Sequence, residues 1–215
     1  MMGETIPQSL LERWARIPVA VIADTSHGAC LIDPAIRPLC PAGQQPKLFG
    51  RAVTALCAPP DFGAVLRALD EMARGDVLVI AAQSNAQHAM IGEILGGHLR
   101  RIGAVGVICD GAVRDVAELA GWKDISVYSR SITPRGPTGA AAGEVNVPVT
   151  FGGVLISPGD LVIGNDDGLA TLTPARAQEL IGGCEAKLTL EDEWQKSLAS
   201  GKTIAQTFGL KAKSV

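Results

Sequence analysis

The residues of this chain that could do chemistry together are Glu93, Arg114 and Asp115, all within GEILGGHLRRIGAVGVICDGAVRD at residues 92–115. An apolar run, Val105 to Cys109, ends in Asp110-Gly111, and the adjacent Arg114-Asp115 pair follows. The planar fork of an arginine can grip a carboxylate or a keto oxygen with two hydrogen bonds. An aspartate is a hard oxygen ligand for Mg²⁺ or Mn²⁺, and Mg²⁺ takes only one or two protein carboxylates while keeping several waters. A helix N-terminus offers unpaired backbone N–H groups and the positive end of the helix dipole, so it accepts a carboxylate. The segment from Met90 to Leu95 is read as such a terminus, with Glu93 beside it. These parts together could hold a small 2-oxo acid: amides on its carboxylate, Arg114 on its oxygens and a metal at Asp115 polarising its ketone. The pair on its own is also readable as a surface ion pair or as the start of a helix.

The other candidates have structural readings. Asp76 and Asp160 each follow a glycine and read as turn residues before strands. Asp166-Asp167-Gly168 reads as a hairpin turn, with two adjacent carboxylates as a metal site the alternative. His98 falls beside an apolar helical stripe and reads as structural, His88 lies in a loop expected to be open, and His27 could be either. Cys109 closes an apolar strand and reads as a small core residue. Neither a GxSxG elbow nor a phosphate-binding glycine loop occurs. Lys47, Lys123 and the C-terminal lysines do not fall in a buried strand that would activate an amine for Schiff-base chemistry.

These residues need a scaffold. The 215 residues carry a net charge of −3, with basic residues scattered, which excludes the electrostatic footprint of a nucleic-acid binder. Five cysteines without CxxC spacing indicate neither a zinc site nor a disulfide framework. The start of the sequence lacks a signal-peptide apolar core, and no apolar run reaches roughly 18 residues, so a soluble protein of the reducing cytoplasm is expected. Residues 7–24 read as helix broken at Pro18, and 25–46 as loop. Strands are expected at Arg51–Ala58, at VLVIAA (77–82) and at Val105–Cys109, with a helix at Phe62–Ala73 capped by Asp61. A helix is expected over 89–102, with Ile91, Ile94, Leu95, Leu99 and Ile102 on one face and Gly103 as its stop. SNAQHA before it reads as an open loop, and Arg114–Ala120 as a short helix. ISVYSRSI, VNVPVTFGGVLI, DLVIGN and LATLT read as strands, and a helix runs from Pro174 to about Ser200. The whole predicts one α/β domain over 1–215 with a mixed sheet flanked by helices.

At these residues the sequence resembles the RraA-like 4-hydroxy-4-methyl-2-oxoglutarate / 4-carboxy-4-hydroxy-2-oxoadipate aldolases, class II pyruvate aldolases related to the regulator of ribonuclease E activity. The resemblance rests on Gly92-Glu93-Ile94-Leu95, twenty residues between Glu93 and Arg114, and Asp110-Gly111-Ala112-Val113-Arg114-Asp115. GRAVTA (50–55), GDVLVI (75–80), SRSITPRGP (129–137) and NVPVTFGGVLISPGDLVIGNDDG (146–168) extend it over roughly residues 18–210. It implies a swivelling β/β/α-type fold and a homotrimer or homohexamer with sites between subunits. It implies that Gly92, Glu93, Ile94 and Leu95 bind the pyruvyl carboxylate through their amides, that Arg114 binds substrate, and that Asp115 anchors Mg²⁺ or Mn²⁺. It further implies a glutamate donated by a neighbouring subunit's C-terminal helix, for which Glu191 fits best and Glu193 is the reserve. The activity implied is metal-dependent retro-aldol cleavage of a 4-hydroxy-2-oxo di- or tricarboxylic acid to pyruvate, with oxaloacetate decarboxylation alongside. The alternatives are a non-catalytic regulator of a ribonuclease-type partner and a different metal-dependent oxo-acid lyase. One stretch departs from the family: AAQSNAQHA stands where a glycine-rich VDGGG is common, which would alter the pocket mouth and the preferred acyl portion.

Overall fold

The computed structural model describes residues 6–210. Pro18 divides the first helical stretch as expected. It sits at the N-cap of α2 (Val19–Ser26), where its missing N–H costs nothing, after α1 (Gln8–Trp14) has ended. The loop-rich stretch that follows contains only the two-residue β1 (Arg37–Pro38).

The core is an eight-stranded mixed sheet. Four parallel strands form its middle: β2 (Leu48–Leu56), β3 (Asp76–Ala89), β4 (Gly106–Val113) and β5 (Ser126–Ile132). The helices between them are α3 (Gly63–Glu71), α4 (Glu93–Ile102) and α5 (Val116–Gly121). β1 closes one edge, antiparallel to β5. On the other side β2 shares its free edge between two partners. β6 (Glu144–Val145) pairs with Ala55 and Leu56, while β9 (Leu161–Asn165) pairs with Leu48–Arg51. β10 (Gly168–Leu172) turns back on β9, and β7 (Val149–Phe151) with β8 (Val154–Ile156) makes a separate hairpin.

Side-chain alternation along these strands sorts the core into layers. Leu78, Ile80, Val107 and Cys109 face α3, α4 and α5. Val77, Val79 and Ile108 face the opposite way, toward Ile32, Ile36 and the β7–β8 hairpin. At the far end, Leu161, Ile163, Ala170 and Leu172 pack against α1, α2 and α6 (Pro174–Ala199). Trp14 is fully buried there and donates its indole N–H to the Ala177 carbonyl at 3.1 Å. Thr173 caps α6 by accepting the Arg176 N–H, with Pro174 in its first turn. A last helix, α7 (Ile204–Phe208), was not anticipated. Its capping box, Thr203 with Gln206, stands in the sequence as T-x-x-Q.

Four expectations need correction. SNAQHA is not an open loop: it continues β3 to fourteen residues. Its polarity conceals it, because half of these residues are exposed and only Ala89 is buried, and its register with β4 slips between Ile80 and Asn85 and again before Ala89. The helix expected from residue 89 starts only at Glu93, because Ala89 and Met90 spend their N–H groups on the carbonyls of Arg135 and Ala112. Ile94, expected on the buried face of that helix, is 77% exposed. Leu95, Leu99 and Ile102 of that face do meet the core, and Ile91 joins it from the segment before the helix. α5 likewise begins at Val116, after Asp115 in the left-handed conformation (φ 57°).

Candidate active site

The carboxyl ends of β3 and β4 deliver the reactive residues, which is where open parallel sheets form ligand crevices. β4 ends at Val113, and the Arg114 N–H donates to the Ile91 carbonyl at 3.1 Å. That bond ties the strand exit to the entry of α4. Asp115 Oδ2 then accepts the backbone N–H of Glu93 at 3.0 Å and lies 3.6 Å from Arg114 Nε. The approach is close because residue 92 has no side chain: a Cβ there would stand 2.3 Å from Asp115 Oδ2 and 2.8 Å from Arg114 Cγ.

The first hydrogen bond of α4 runs from Gly96 N–H to the Gly92 carbonyl. The Glu93 amide is already on Asp115. The amides of Ile94 and Leu95 have no intrahelical acceptor, as is usual at a helix start. They are the pair left to meet an anion. The Arg114 guanidinium lies between two recesses. One, of about 210 Å³, is walled by Phe62, Leu66, Met90, Ile91, Leu95 and Pro137. The other opens past Asp115, Val116 and Thr133. The loop after β5 comes up against the arginine, so that a Cβ on Gly136 would fall 2.7 Å from Nη1. Arg114 and Asp115 keep 41% of their side-chain surface each, so both are open to a ligand.

The donor set can be weighed against a metal. Among the described residues Asp115 Oδ1 has no hydrogen bond while Oδ2 is oriented by the Glu93 amide, and Glu93 itself is exposed in the first turn of α4. Among the described residues no group of three or more His, Cys, Asp or Glu is placed to enclose an ion. Such hard, sparse oxygen donors fit a largely hydrated Mg²⁺ or Mn²⁺ and not a thiolate- or imidazole-bound metal.

One polar cluster escaped the sequence reading. Asp110, 6% exposed in the middle of β4, accepts from Arg130 Nε, from Ser84 Oγ at 3.2 Å and from the Gly152 N–H at 3.5 Å. Arg130 also meets Asp33 at 2.8 Å. The Ala35 N–H, and then Arg130, hold the Asp33 carboxyl below its ordinary range. This cluster pins the irregular part of β3 to β4 and β5. Its only sequence signal is a carboxylate after an apolar run, with the arginine twenty residues on.

The remaining candidates fall away from the site. Asp166 accepts the Gly43 N–H and Asp167 exchanges hydrogen bonds with Asn165, so the pair serves the β9–β10 hairpin. Asp76 and Asp160 hold turns through the N–H groups of Ala73 and Ser157. Cys109 is fully buried, and desolvation pushes its thiol well above the ordinary value. His27 caps α2 in the left-handed region. His88 and His98 are half-buried, and neither lines the recesses beside Arg114. Lys47 and Lys123 donate to the Ala15 carbonyl and to Gln44. Glu191 lies on α6 beside Lys187, which also meets Asp24 of α2. Within one chain it belongs to the α1–α2–α6 layer, not to the Arg114–Asp115 crevice. Glu193 is exposed on the same helix.

The Arg114-Asp115 pair and the start of α4 thus meet in an open crevice at the carboxyl ends of a mixed α/β sheet. Comparison with known proteins gives the family. Residues 19–170 match the RraA-like family model, described as Aldolase/RraA, and the chain belongs to that family. A Halalkalibacterium halodurans protein named "Putative 4-hydroxy-4-methyl-2-oxoglutarate aldolase" is 30% identical over 195 residues, covering 91% of this chain and 90% of that one. An uncharacterised protein of Pseudomonas syringae shares the fold with a TM-score of 0.83 at 23% identity, over 95% of this chain and 98% of its own. RraAS2 of Streptomyces coelicolor, described as an unusual member of the RNase ES inhibitor RraA protein family, superposes with a TM-score of 0.75 at 25% identity, over 86% and 96% of the two chains. Among the described residues no helix is long and apolar enough to cross a membrane.

Proposed function

We propose that the chain cleaves a 4-hydroxy-2-oxo acid by retro-aldol reaction and releases pyruvate, as an aldolase that works with Mg²⁺ or Mn²⁺. The observation that carries this reading is the junction of Arg114, Asp115 and the start of α4, where the Glu93 amide orients the Asp115 carboxylate at 3.0 Å. The name of the Halalkalibacterium halodurans relative supports the substrate class.

The residues divide the work. The Ile94 and Leu95 amides take the carboxylate of the pyruvyl half, helped by the positive end of the α4 dipole. Arg114 reaches the same half and shares the charge that develops on the C2 oxygen. Cleavage takes the C4 hydroxyl proton, breaks C3–C4, forms a carbonyl at C4 and leaves the bonding pair on C3. Protonation at C3 then gives pyruvate. Glu93, exposed at the mouth, and Glu191 of the partner subunit are the acids assigned to position the water that moves these protons. Asp115 would hold the divalent ion, whose contribution is Lewis-acid polarisation of the C2 ketone. Oxaloacetate decarboxylation needs the same charge stabilisation and is expected from the same site.

A continuous assay of pyruvate release tests this, with oxaloacetate and 4-hydroxy-4-methyl-2-oxoglutarate as substrates, with and without EDTA. Asp115→Asn suits the left-handed position, which asparagine tolerates, and removes the charge. Activity is expected to vanish with EDTA and in this variant, while the fold persists. EDTA-resistant turnover, or an active Asp115→Asn protein, would rule out the metal assignment. The likeness to RraAS2 supports a second reading, a regulator that binds a ribonuclease. In that case inhibition of such an enzyme would survive the substitution that abolishes pyruvate release.

A further inference from the structure

We infer that Asp110 is a positioning residue for the site: through Ser84 it holds the left-handed bend of β3 that brings the Glu93 amide to the Asp115 carboxylate. The inference rests on the reading of Asp115 as the anchor of the divalent ion. It adds to that reading a group that lines neither recess beside Arg114.

Between the pairs Ile80–Cys109 and Ala89–Ala112, β3 spends nine residues where β4 spends three. Fully extended, the six surplus residues would carry the start of α4 roughly 20 Å past the exit of β4, at about 3.3 Å per residue. The surplus is folded away in two places, one before Asn85 and one after it. Bulges that re-aim a strand beside a ligand site are a recurrent device. In the first fold Gln83 and Ser84 are both left-handed (φ 54° and 56°). Residues with a Cβ rarely hold that conformation unless the surroundings impose it. Here the Gln83 amide donates to the Cys57 carbonyl and the Ser84 hydroxyl to Asp110 Oδ1, each at 3.2 Å. Gly111, next to Asp110, leaves room for the fold: a Cβ there would stand 2.7 Å from Ala82 Cβ and 3.1 Å from the Asn85 carbonyl oxygen. The second fold is closed locally, with Asn85 Oδ1 accepting the Gln87 N–H at 2.9 Å.

Beyond the folds the chain is laid against the exit of β4. The Ala89 N–H meets the Arg135 carbonyl at 2.8 Å and the Met90 N–H the Ala112 carbonyl at 2.9 Å. Glu93 follows three residues after Met90, with its amide on Asp115. Asp110 is itself a fixed point, because Arg130 and the Gly152 N–H hold it and Asp33 holds Arg130. A buried ion pair is weak evidence for stability, since desolvation offsets its attraction. What this one supplies is an acceptor for Ser84 in a fixed place.

The test measures amide hydrogen exchange by mass spectrometry over residues 85–95, and Mn²⁺ affinity by electron paramagnetic resonance, on the full chain. Ser84 is exposed, so its substitutions leave the buried Asp110–Arg130 pair in place. Ser84→Ala loses the hydroxyl and keeps a Cβ that disfavours positive φ. Ser84→Gly loses the hydroxyl and accepts positive φ. Ser84→Ala is expected to exchange at least tenfold faster over 85–95 and to bind Mn²⁺ at least tenfold more weakly, with an unchanged thermal midpoint. Ser84→Gly is expected to recover most of both. Wild-type exchange in Ser84→Ala, or a Ser84→Gly protein as impaired as Ser84→Ala, overturns the inference. Faster exchange with unchanged Mn²⁺ affinity reduces the bend to a structural role and overturns it as well. A wild-type protein that binds no Mn²⁺ overturns the metal reading alone, and exchange in the two variants then decides whether Asp110 sets the position of Glu93.

Discussion

Gly92 and Asp115 are so close that residue 92 cannot carry a side chain while the aspartate keeps its place: the added Cβ would lie 2.3 Å from Oδ2. The backbone of Gly92 is extended (φ −154°), a conformation any residue adopts, so the demand for glycine is one of space. In Gly92→Ala the half-exposed Asp115 side chain is expected to swing away, at little cost to folding. It would then leave the Glu93 amide and disturb Arg114. Pyruvate release should fall at least tenfold, which is about 1.4 kcal/mol of transition-state stabilisation, with an unchanged thermal midpoint. Wild-type activity in this variant would show that the position of Asp115 does not matter.

Arg114 tests geometry against charge. Lysine keeps the cation but loses the planar fork and the Nε that lies 3.6 Å from Asp115. Arg114→Lys should lower kcat/KM for oxaloacetate tenfold or more, again about 1.4 kcal/mol. A twofold change would indicate that the site needs only a positive charge.

The meeting of the candidate residues Glu93, Arg114 and Asp115 was legible in the sequence because they are local. Arg114 and Asp115 are adjacent, and Glu93 opens the helix that the preceding strand feeds. The fold class was legible for the same reason, through apolar runs such as VLVIAA and the Pro18 break. What stayed hidden depends on partners distant in sequence. The extension of β3 through SNAQHA is written in polar residues, and Gln83 and Ser84 adopt positive φ (54° and 56°), which no periodicity reveals. Their backbone is held by contacts from elsewhere, Gln83 to the Cys57 carbonyl and Ser84 to Asp110. The exposure of Ile94 was hidden too, because helical spacing gives a face but not which of its positions meet the core.

Asp61 offers a pH test of the loop above α3. Its carboxylate accepts the N–H groups of Gly63, Ala141 and Ala142 at 2.7, 3.0 and 3.0 Å. These bonds, that of Ala141 foremost, hold its pKa below the ordinary value of about 3.8. A depressed acid stabilises the fold above its unfolded pKa, and the contribution is lost as pH falls through the folded one. The urea midpoint of Asp61→Asn should therefore lie below wild type at pH 7, and the gap should narrow below about pH 3.8. A gap that does not depend on pH would show that the charge on Asp61 contributes nothing.

The last prediction concerns Glu191. Within its own chain this residue sits by Lys187 on the α1–α2 side of the molecule, and Trp194 is partly covered by Phe208 of α7, with ring centroids 4.7 Å apart, and by the Lys187 ammonium. The tryptophan therefore finds cover within its own chain. Leu190, Leu198, Ile204 and Phe208 nonetheless remain between 38% and 58% exposed along α6 and α7. An apolar strip of this kind on a projecting helix pair is suited to another surface. If it docks on a second copy, Glu191 is carried toward that copy's Arg114–Asp115 crevice. Asp115→Ala and Glu191→Ala proteins are each expected to be inactive alone. Mixed under conditions that exchange subunits, they should regain part of the wild-type activity, since some interfaces then unite an intact Asp115 with an intact Glu191. Mass spectrometry of the mixed oligomers establishes the exchange. No regained activity despite proven exchange, or full activity in a species that sediments as a monomer, would place the whole site within one chain.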